Sequence, residues 1–169
     1  MNIFVLHERD HKKCVEQYPD KHVVKMITES VQMLSTNLRL HGIEEGYKPT
    51  HPNHPCTVWA RSSLSNWMWL CDLVVAMHEE YQFRYEKKKR KIHKAFEVFL
   101  SLPNLPIPDH GLTPFVQCMD ERFRGPNAVD AYRTFYVYDK PQLRLNYKEG
   151  KRETPWWYYD CTEKIPQAV

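Results

Sequence analysis

The sequence lacks a hydrophobic run long enough to cross a bilayer, which takes roughly 18 or more consecutive apolar residues. Its longest apolar stretch, WMWLCDLVVAMHEEY, is interrupted by Asp72 and ends in a histidine and two glutamates. The N-terminus, MNIFVLHERDHKKC, has no basic lead, no long apolar core and no small-residue cleavage site. We therefore expect neither a targeting segment nor a membrane partner.

The sequence also lacks a CxxC pair, and its five cysteines are an odd number spread along the chain. This distribution argues against a disulfide framework and indicates a reducing compartment. We expect a cytoplasmic protein, located in the host cytoplasm if the protein is viral.

No strong excess of charge of either sign is present, because the net charge is only +3. A balance this small is compatible with a polyanionic partner but does not establish one, so the local clustering of charge matters more. With 169 residues, 42% of them hydrophobic and 13% aromatic, the chain is long enough for one core. No internal repeat or domain boundary is visible, and we expect a single domain over residues 1–169.

Apolar residues recur at helical spacing in several segments, and prolines interrupt the chain between them. We predict a mainly α, single-domain bundle of three to four helices with long proline-rich ordered loops. The predicted helices cover residues 21–40, 62–85 and 129–139, with the second continuing or restarting through a basic stretch to about residue 100. The predicted loops cover residues 44–55 and 101–115. Residues 2–6 are compatible with a short strand or an anchored extended segment, and we expect the aromatic tail to fold back on the core.

The first predicted helix carries a polar stripe of His22, Lys25, Glu29 and Gln32. These side chains fall within about 80° of one another on a helical wheel. A carboxylate beside an amine is the minimum equipment for Schiff-base or general acid/base chemistry, and we select Glu29, His22 and Lys25 as candidate catalytic residues. The alternative is a solvated face with a Lys25–Glu29 pair that contributes only a few tenths of a kcal/mol.

A histidine–proline loop, THPNHPC, precedes the second predicted helix. His51, His54 and Cys56 follow the pattern H-x2-H-x-C, which offers nitrogen and sulfur ligands of the kind that zinc prefers. Two prolines lie inside this chelate, and no second cysteine–histidine pair lies nearby to complete it. A metal site is therefore the weaker interpretation of the loop, and we expect no cofactor.

The stronger interpretation makes the loop part of a substrate-binding surface at a helix start, where anions bind favourably. Trp59 offers a plane for stacking and Arg61 a bidentate phosphate donor, next to Asn53 and His54. Asn66, in the helix that follows, completes this predicted set. The alternative is a loop that only caps the helix, in which the imidazoles form hydrogen bonds to backbone groups.

A basic stretch, RYEKKKRKIHK, follows the second predicted helix and has aromatic residues just before and within it. Arg84 and Lys87 from this stretch are predicted to contact phosphate, which supplies affinity without sequence information. Such runs also serve as solvated faces.

The segments DKHVVKM, HPNHPC, WAR, AYRTFY and PWW resemble small uncharacterised proteins of tailed phages. More distantly, the chain resembles the phage-type pyrimidine-dimer DNA glycosylases with AP-lyase activity. The shared features are an Asp-x-His helix start with a glutamate seven residues after the histidine, a central helix that ends in arginine, and an aromatic tail that contains proline. They correspond here to Asp20, His22, Glu29, Arg84 and the segment RETPWWYY.

The second resemblance implies that Glu29 is the catalytic carboxylate, which stabilises positive charge developing on the sugar. It also implies an N-terminal α-amine as nucleophile, exposed once the initiator methionine is removed. Asn2 is too large for the usual removal of that methionine, so we expect Met1 to stay. The nucleophile is then Lys25 or an activated water, unless the scaffold has lost this chemistry.

These features favour a nucleic-acid-directed enzyme that acts on a nucleobase by DNA N-glycosylase-like chemistry, with DNA or a nucleotide as its partner. One alternative is a non-catalytic phage protein that binds nucleic acid or a host component. The other is a metal-dependent hydrolase centred on the histidine–proline loop. The sequence does not determine the oligomeric state.

Overall fold

The computed structural model describes residues 1–85, 92–147 and 151–160, and it is mainly helical, as predicted. No strand occurs in these three ranges. Their α-helices are α1 (His11–Glu16), α2 (Asp20–Leu40), α3 (Pro55–Arg61), α4 (Leu64–Arg84), α5 (Lys94–Phe99), α6 (Ala128–Asp139) and α7 (Trp157–Asp160). Short 3-10 turns lie at Glu121–Phe123 and Pro141–Leu145.

Helix α2 begins and ends within one residue of its prediction. Val23, Ile27, Val31 and Leu34 face the core at helical spacing and are fully buried, which stabilises the helix through packing more than through propensity. Gly42, with a φ of 78°, adopts the left-handed conformation that commonly follows a helix end. The predicted helix at residues 129–139 is equally close to the observed α6.

The predicted helix at residues 62–85 corresponds to α4, and the short helix α3 that precedes it was not predicted. Ser62 and Ser63 lie between them. The carboxylate of Asp109 accepts hydrogen bonds from Ser63 Oγ and from the Ser65 backbone N–H, both at 2.9 Å. A distant loop residue thus caps α4 and stabilises a new helix start at this point.

The basic stretch after α4 was predicted to continue or restart as a helix to about residue 100. Residues 86–91 lie outside the described residues, and α5 begins at Lys94. The proline-rich segment 101–115 contains no helix or strand, in agreement with the prediction.

Helices α2 and α4 pack against each other at the centre of the fold, and α1, α3 and α5 pack around them. The N-terminal segment 2–6 runs through this core as buried extended chain rather than as a strand. The tail folds back, as expected, and buries Trp157 and Tyr158. In the ranges that the structure describes, we find no helix whose length and apolar content would let it cross a membrane.

Candidate active site

The centre of the candidate site is the carboxylate of Glu29, near the middle of α2. One oxygen, Oε1, lies 3.2 Å from the Lys25 Nζ atom. The other, Oε2, lies 3.5 Å from the α-amino nitrogen of Met1. The Glu29 side chain is only 14% exposed, so water screens these two charge contacts less than it would on an open surface. The structure therefore brings one carboxylate into contact with two amines.

Asn2 holds the N-terminal segment in place beside Glu29. Its backbone N–H donates to Glu29 Oε2 at 3.2 Å, and its side-chain amide donates to the Cys118 carbonyl at 3.0 Å. Its Oδ1 atom accepts from the Cys56 thiol at 3.5 Å and lies 2.9 Å from the Tyr132 hydroxyl. Through its backbone and side chain together, Asn2 thus links α2, the start of α3, the loop at residue 118 and α6.

Three potential metal ligands or nucleophiles meet next to Asn2. The ligand atoms of His54, Cys56 and Cys118 all lie within 4.8 Å of one another, and the two Sγ atoms are 3.5 Å apart. We call this group the thiol–imidazole cluster. His54 and Cys118 also line a surface cavity of about 520 Å³, together with Gln117, Arg124 and others.

The electrostatics of the cluster depend on the charged groups around it. The hydrogen bond with Cys56, helped by the positive charges of Arg124 and the Met1 amine, lowers the pKa of the Cys118 thiol to about 7. The same hydrogen bond and burial raise the pKa of Cys56 well above its usual value. Burial, followed by the charge of the Met1 amine, lowers the pKa of His54. The cluster and the amine at Glu29 are therefore electrically coupled.

His22, which the sequence placed among the catalytic candidates, is 9% exposed and packs inside the protein. Its ring stacks on Phe4 at a centroid distance of 4.7 Å, and Nδ1 forms a hydrogen bond with the Tyr136 hydroxyl. Burial, with further contributions from the charges of Lys25 and Lys140, lowers the pKa of His22 to about 4. The imidazole is thus neutral at pH 7 and supports the N-terminal segment through Phe4.

Lys25 differs from His22 in that its side chain is 67% exposed. The ammonium group therefore contacts Glu29 and is open to solvent. Gln32, the fourth member of the predicted stripe, is partly buried one turn further along α2. Of the three catalytic candidates, Glu29 and Lys25 come together.

The histidine–proline loop is held against α2 by Arg61. The Arg61 guanidinium donates to the Pro52 carbonyl at 2.7 Å and to Asn37 Oδ1 at 3.2 Å, so it positions the loop rather than presenting an open fork to solvent. Asn53 remains exposed. The His54 side chain caps α3 by accepting from the Cys56 N–H at 3.2 Å. The alternative of a capped loop therefore describes His54 in part, although His54 also borders the cavity.

Two residues of the predicted substrate-binding surface lie in the core instead. Trp59 is 4% exposed and packs edge-on against Trp69. Asn66 is fully buried, and its side chain bonds to Trp59, Ser62 and Thr113. Neither side chain has a free surface for a base or a phosphate, because the loop at residue 113 covers both.

Arg84 is likewise buried, at 1% exposure, so it does not contact phosphate as predicted. It forms ion pairs with Glu80 at 2.6 Å and Asp20 at 3.0 Å and donates to the carbonyls of Tyr18 and Glu16. An arginine at the start of a basic run looks like a surface residue, but these carboxylates satisfy it internally. Lys87 lies outside the described residues.

The weaker metal interpretation named His51, His54 and Cys56. The structure brings His54 and Cys56 together, with Cys118 rather than His51 as the third group. His51 is exposed, and its Nδ1 bonds to Thr50 Oγ1 at 2.6 Å. Cys118 had no sequence signal as a partner, since 62 residues separate it from Cys56.

One of the comparisons with known proteins gives a match. The family model described as pyrimidine dimer DNA glycosylase matches residues 1–93, which is more than half of the 169-residue chain. The matched region contains Met1, Asn2, Lys25 and Glu29. No curated protein and no solved structure matches the chain. On the family match, the chain belongs to the pyrimidine dimer DNA glycosylase family.

Proposed function

We propose that the protein is a DNA N-glycosylase that releases a nucleobase by attack of an amine held at Glu29. The observation that carries this proposal is the contact of a single, largely buried carboxylate with the α-amino group of Met1 and with Lys25 Nζ. Family membership supports a glycosylase-like activity on DNA. The α-amine is the group that the family resemblance implies as nucleophile, and retention of Met1 does not move it away from Glu29.

The reaction requires one bond to form at the sugar C1′ atom and one to break. The neutral amine attacks C1′, the bond from C1′ to the base nitrogen breaks, and the departing base takes up a proton. The Glu29 carboxylate stabilises the positive charge that develops on the sugar and accepts the proton that the attacking amine loses. The C1′–O4′ bond then breaks, O4′ takes up the proton that Glu29 accepted, and the opened sugar is left as a Schiff base between C1′ and the amine.

The cavity beside His54 and Cys118 is the proposed binding site for the extruded base. Its volume of about 520 Å³ falls within the range of about 300–1,000 Å³ that is usual for small-molecule sites. An enzyme that acts on a base in duplex DNA must flip that base out of the stack. Gln117 bonds to the Gly125 backbone through both ends of its amide and keeps a second amide hydrogen for the edge of the base. Arg124 offers a phosphate contact, and Asn53 lies exposed on the neighbouring loop.

The test is to incubate the protein with damaged, modified and unmodified DNA, with and without borohydride, and to measure released base and covalent adduct by mass spectrometry. We expect base release and a trapped adduct from the wild-type protein. Glu29→Gln should lower the rate by about 100-fold or more while DNA binding is kept. Glu44→Gln, which changes an 84% exposed glutamate, is the matched control and should retain full activity.

Peptide mapping of the adduct distinguishes the two amines. A label on residue 1 identifies the α-amine, and an uncleaved Gly-Ser extension ahead of Met1 should then abolish trapping while Lys25→Gln does not. A label on Lys25 would identify Nζ as the nucleophile, and Lys25→Gln should then abolish trapping while the Gly-Ser extension does not. Base release without any adduct would show that the nucleophile is activated water and not an amine. Salt-sensitive DNA binding without base release from any substrate would contradict the glycosylase proposal.

A further inference from the structure

The thiol–imidazole cluster has the composition and spacing of a transition-metal site. Cys56 Sγ and Cys118 Sγ lie 3.5 Å apart, and the nearest ring nitrogen of His54 completes a group within 4.8 Å. Zinc binds thiolate sulfur at about 2.3 Å in a tetrahedral arrangement, which places two sulfur ligands about 3.8 Å apart. The observed separation is close to that value.

We propose that His54, Cys56 and Cys118 bind a divalent, thiophilic cation such as Zn²⁺. The three residues supply two sulfurs and one nitrogen, a ligand set found in zinc sites that keep one position open. Cys56 is fully buried, whereas His54 and Cys118 line the cavity. The fourth position therefore faces the cavity, where water or a substrate atom can occupy it.

The surrounding hydrogen bonds hold the ligands in place before any metal arrives. The His54 ring is held beside Cys56, because its Nδ1 accepts from the Cys56 backbone N–H at 3.2 Å. Cys118 is held on both sides of its Cα: its N–H donates to the Tyr132 hydroxyl at 3.3 Å and its carbonyl accepts from Asn2 at 3.0 Å. Such supporting contacts orient ligands and raise metal affinity.

Two neighbouring thiols can also form a disulfide, but the distance between the Cys56 and Cys118 sulfurs favours metal binding. A disulfide requires a sulfur–sulfur distance of about 2.05 Å, so the two sulfurs would have to approach by roughly 1.5 Å against the contacts that hold Asn2 and Tyr132. Binding of one cation to both sulfurs requires almost no such movement.

A bound metal would join α3 to the loop at residue 118 and, through Asn2, to the segment that carries the α-amine. The proposed ion thus acts on the position of residue 1 relative to Glu29 and need not take part in base release. This inference does not depend on the glycosylase proposal, because a metal can bind here whether or not the protein cleaves DNA.

The test is spectroscopic titration of the full chain, reduced and freed of metal by chelator, with Co²⁺ and then Zn²⁺. We expect one Co²⁺ per chain, with a thiolate-to-cobalt charge-transfer band and the strong visible bands of tetrahedral Co²⁺, both removed by Zn²⁺. Cys118→Ser and His54→Gln should each weaken binding by at least about 100-fold, the upper end of what loss of a mere supporting contact costs. Circular dichroism of both variants checks that they fold.

Cys71→Ser is the matched control, because Cys71 lies on α4 outside the cluster and is also a free, partly buried thiol. It should leave the Co²⁺ spectrum and affinity unchanged. The proposal is overturned if the reduced protein shows no thiolate–cobalt band, or if Cys71→Ser weakens binding as much as Cys118→Ser does. It is equally overturned if incubation with Zn²⁺ in air-saturated buffer, where O₂ is the two-electron oxidant, yields a Cys56–Cys118 disulfide, seen as a loss of two hydrogens, instead of a complex.

Discussion

At the scale of single residues, the polar stripe of α2 separates into groups with different environments. Glu29 is largely buried and contacts both the Met1 amine and the exposed Lys25, whereas His22 is enclosed between Phe4 and Tyr136. The spacing of residues along α2 cannot distinguish these environments, because the residues that cover His22 come from the N-terminal segment and from α6. The buried imidazole has a measurable consequence for stability.

We expect His22 to destabilise the folded protein as the pH falls from about 6.5 toward 4. The pKa of His22 is lowered to about 4 in the folded state, so between these values the unfolded chain binds more protons and the free energy of unfolding decreases with falling pH. The charges of Lys25 and Lys140 lower this pKa further and Glu29 opposes them. The loss attributable to His22 between pH 7 and pH 5 should be about 1–2 kcal/mol.

Urea unfolding of the wild-type protein and of His22→Gln at pH 7 and pH 5 measures this contribution. Carboxylate protonation affects both proteins equally, so the difference between their pH dependences isolates the imidazole. An identical loss of stability in the two proteins would show that His22 is not held neutral.

At the scale of helices, Arg84 connects the ends of three of them. It lies in the last turn of α4 and pairs with Asp20 at the start of α2. It also donates to the carbonyl of Glu16, the last residue of α1, and to that of Tyr18, two residues further on. Carbonyl groups at a helix C-terminus carry partial negative charge and lack partners within the helix. One fully buried guanidinium therefore satisfies groups from all three helices at their junction.

Arg84→Met should lower the free energy of unfolding by about 3–5 kcal/mol, because it leaves buried carboxylate and carbonyl groups without their partner. Lys12→Met is the matched control, since it removes an exposed pair with Glu79 across the same α1–α4 interface; it should cost no more than about 0.5 kcal/mol. Chemical denaturation of both variants measures the contrast. Equal losses of stability in the two variants would mean that hydrophobic packing can replace Arg84. Arg152 alone would then neutralise Glu80.

At the scale of the whole molecule, the two ends of the described chain close the core. The N-terminal segment passes through it, and the tail packs Trp157 onto Tyr136 of α6 while the Trp157 Nε1–H donates to Gln17 at 2.7 Å. Two adjacent tryptophans have opposite environments, with Trp156 at 63% exposure and Trp157 at 1%. This pair provides an internal comparison of buried and exposed aromatic side chains.

Trp157→Ala should lower the free energy of unfolding by about 3–5 kcal/mol through the cavity it leaves, and Trp156→Ala by no more than about 1 kcal/mol. Thermal and urea unfolding of both variants give the comparison. Similar values for the two would indicate that the tail detaches from the core in solution and that its packing does not contribute to stability.

Periodic apolar residues were sufficient to predict α2 and α6 within one residue at each end. Both helices bury one face along a regular spacing, and this spacing is written in the local sequence. The start of α4 was also predicted to within two residues, but its capping carboxylate, Asp109, was not, because it comes from a loop more than 40 residues away.

By itself the sequence determined the helical class, the proline-rich loops and the Lys25–Glu29 pair, since each depends on residues a few positions apart. Only the tertiary structure decided which charged residues are buried and which groups meet at the site. It placed Arg84 and His22 inside, and it joined Met1 to Glu29 and Cys118 to Cys56 over distances of 28 and 62 residues. Burial and long-range contact are properties of the packed chain, because they depend on elements whose separation along the sequence carries no periodic signal.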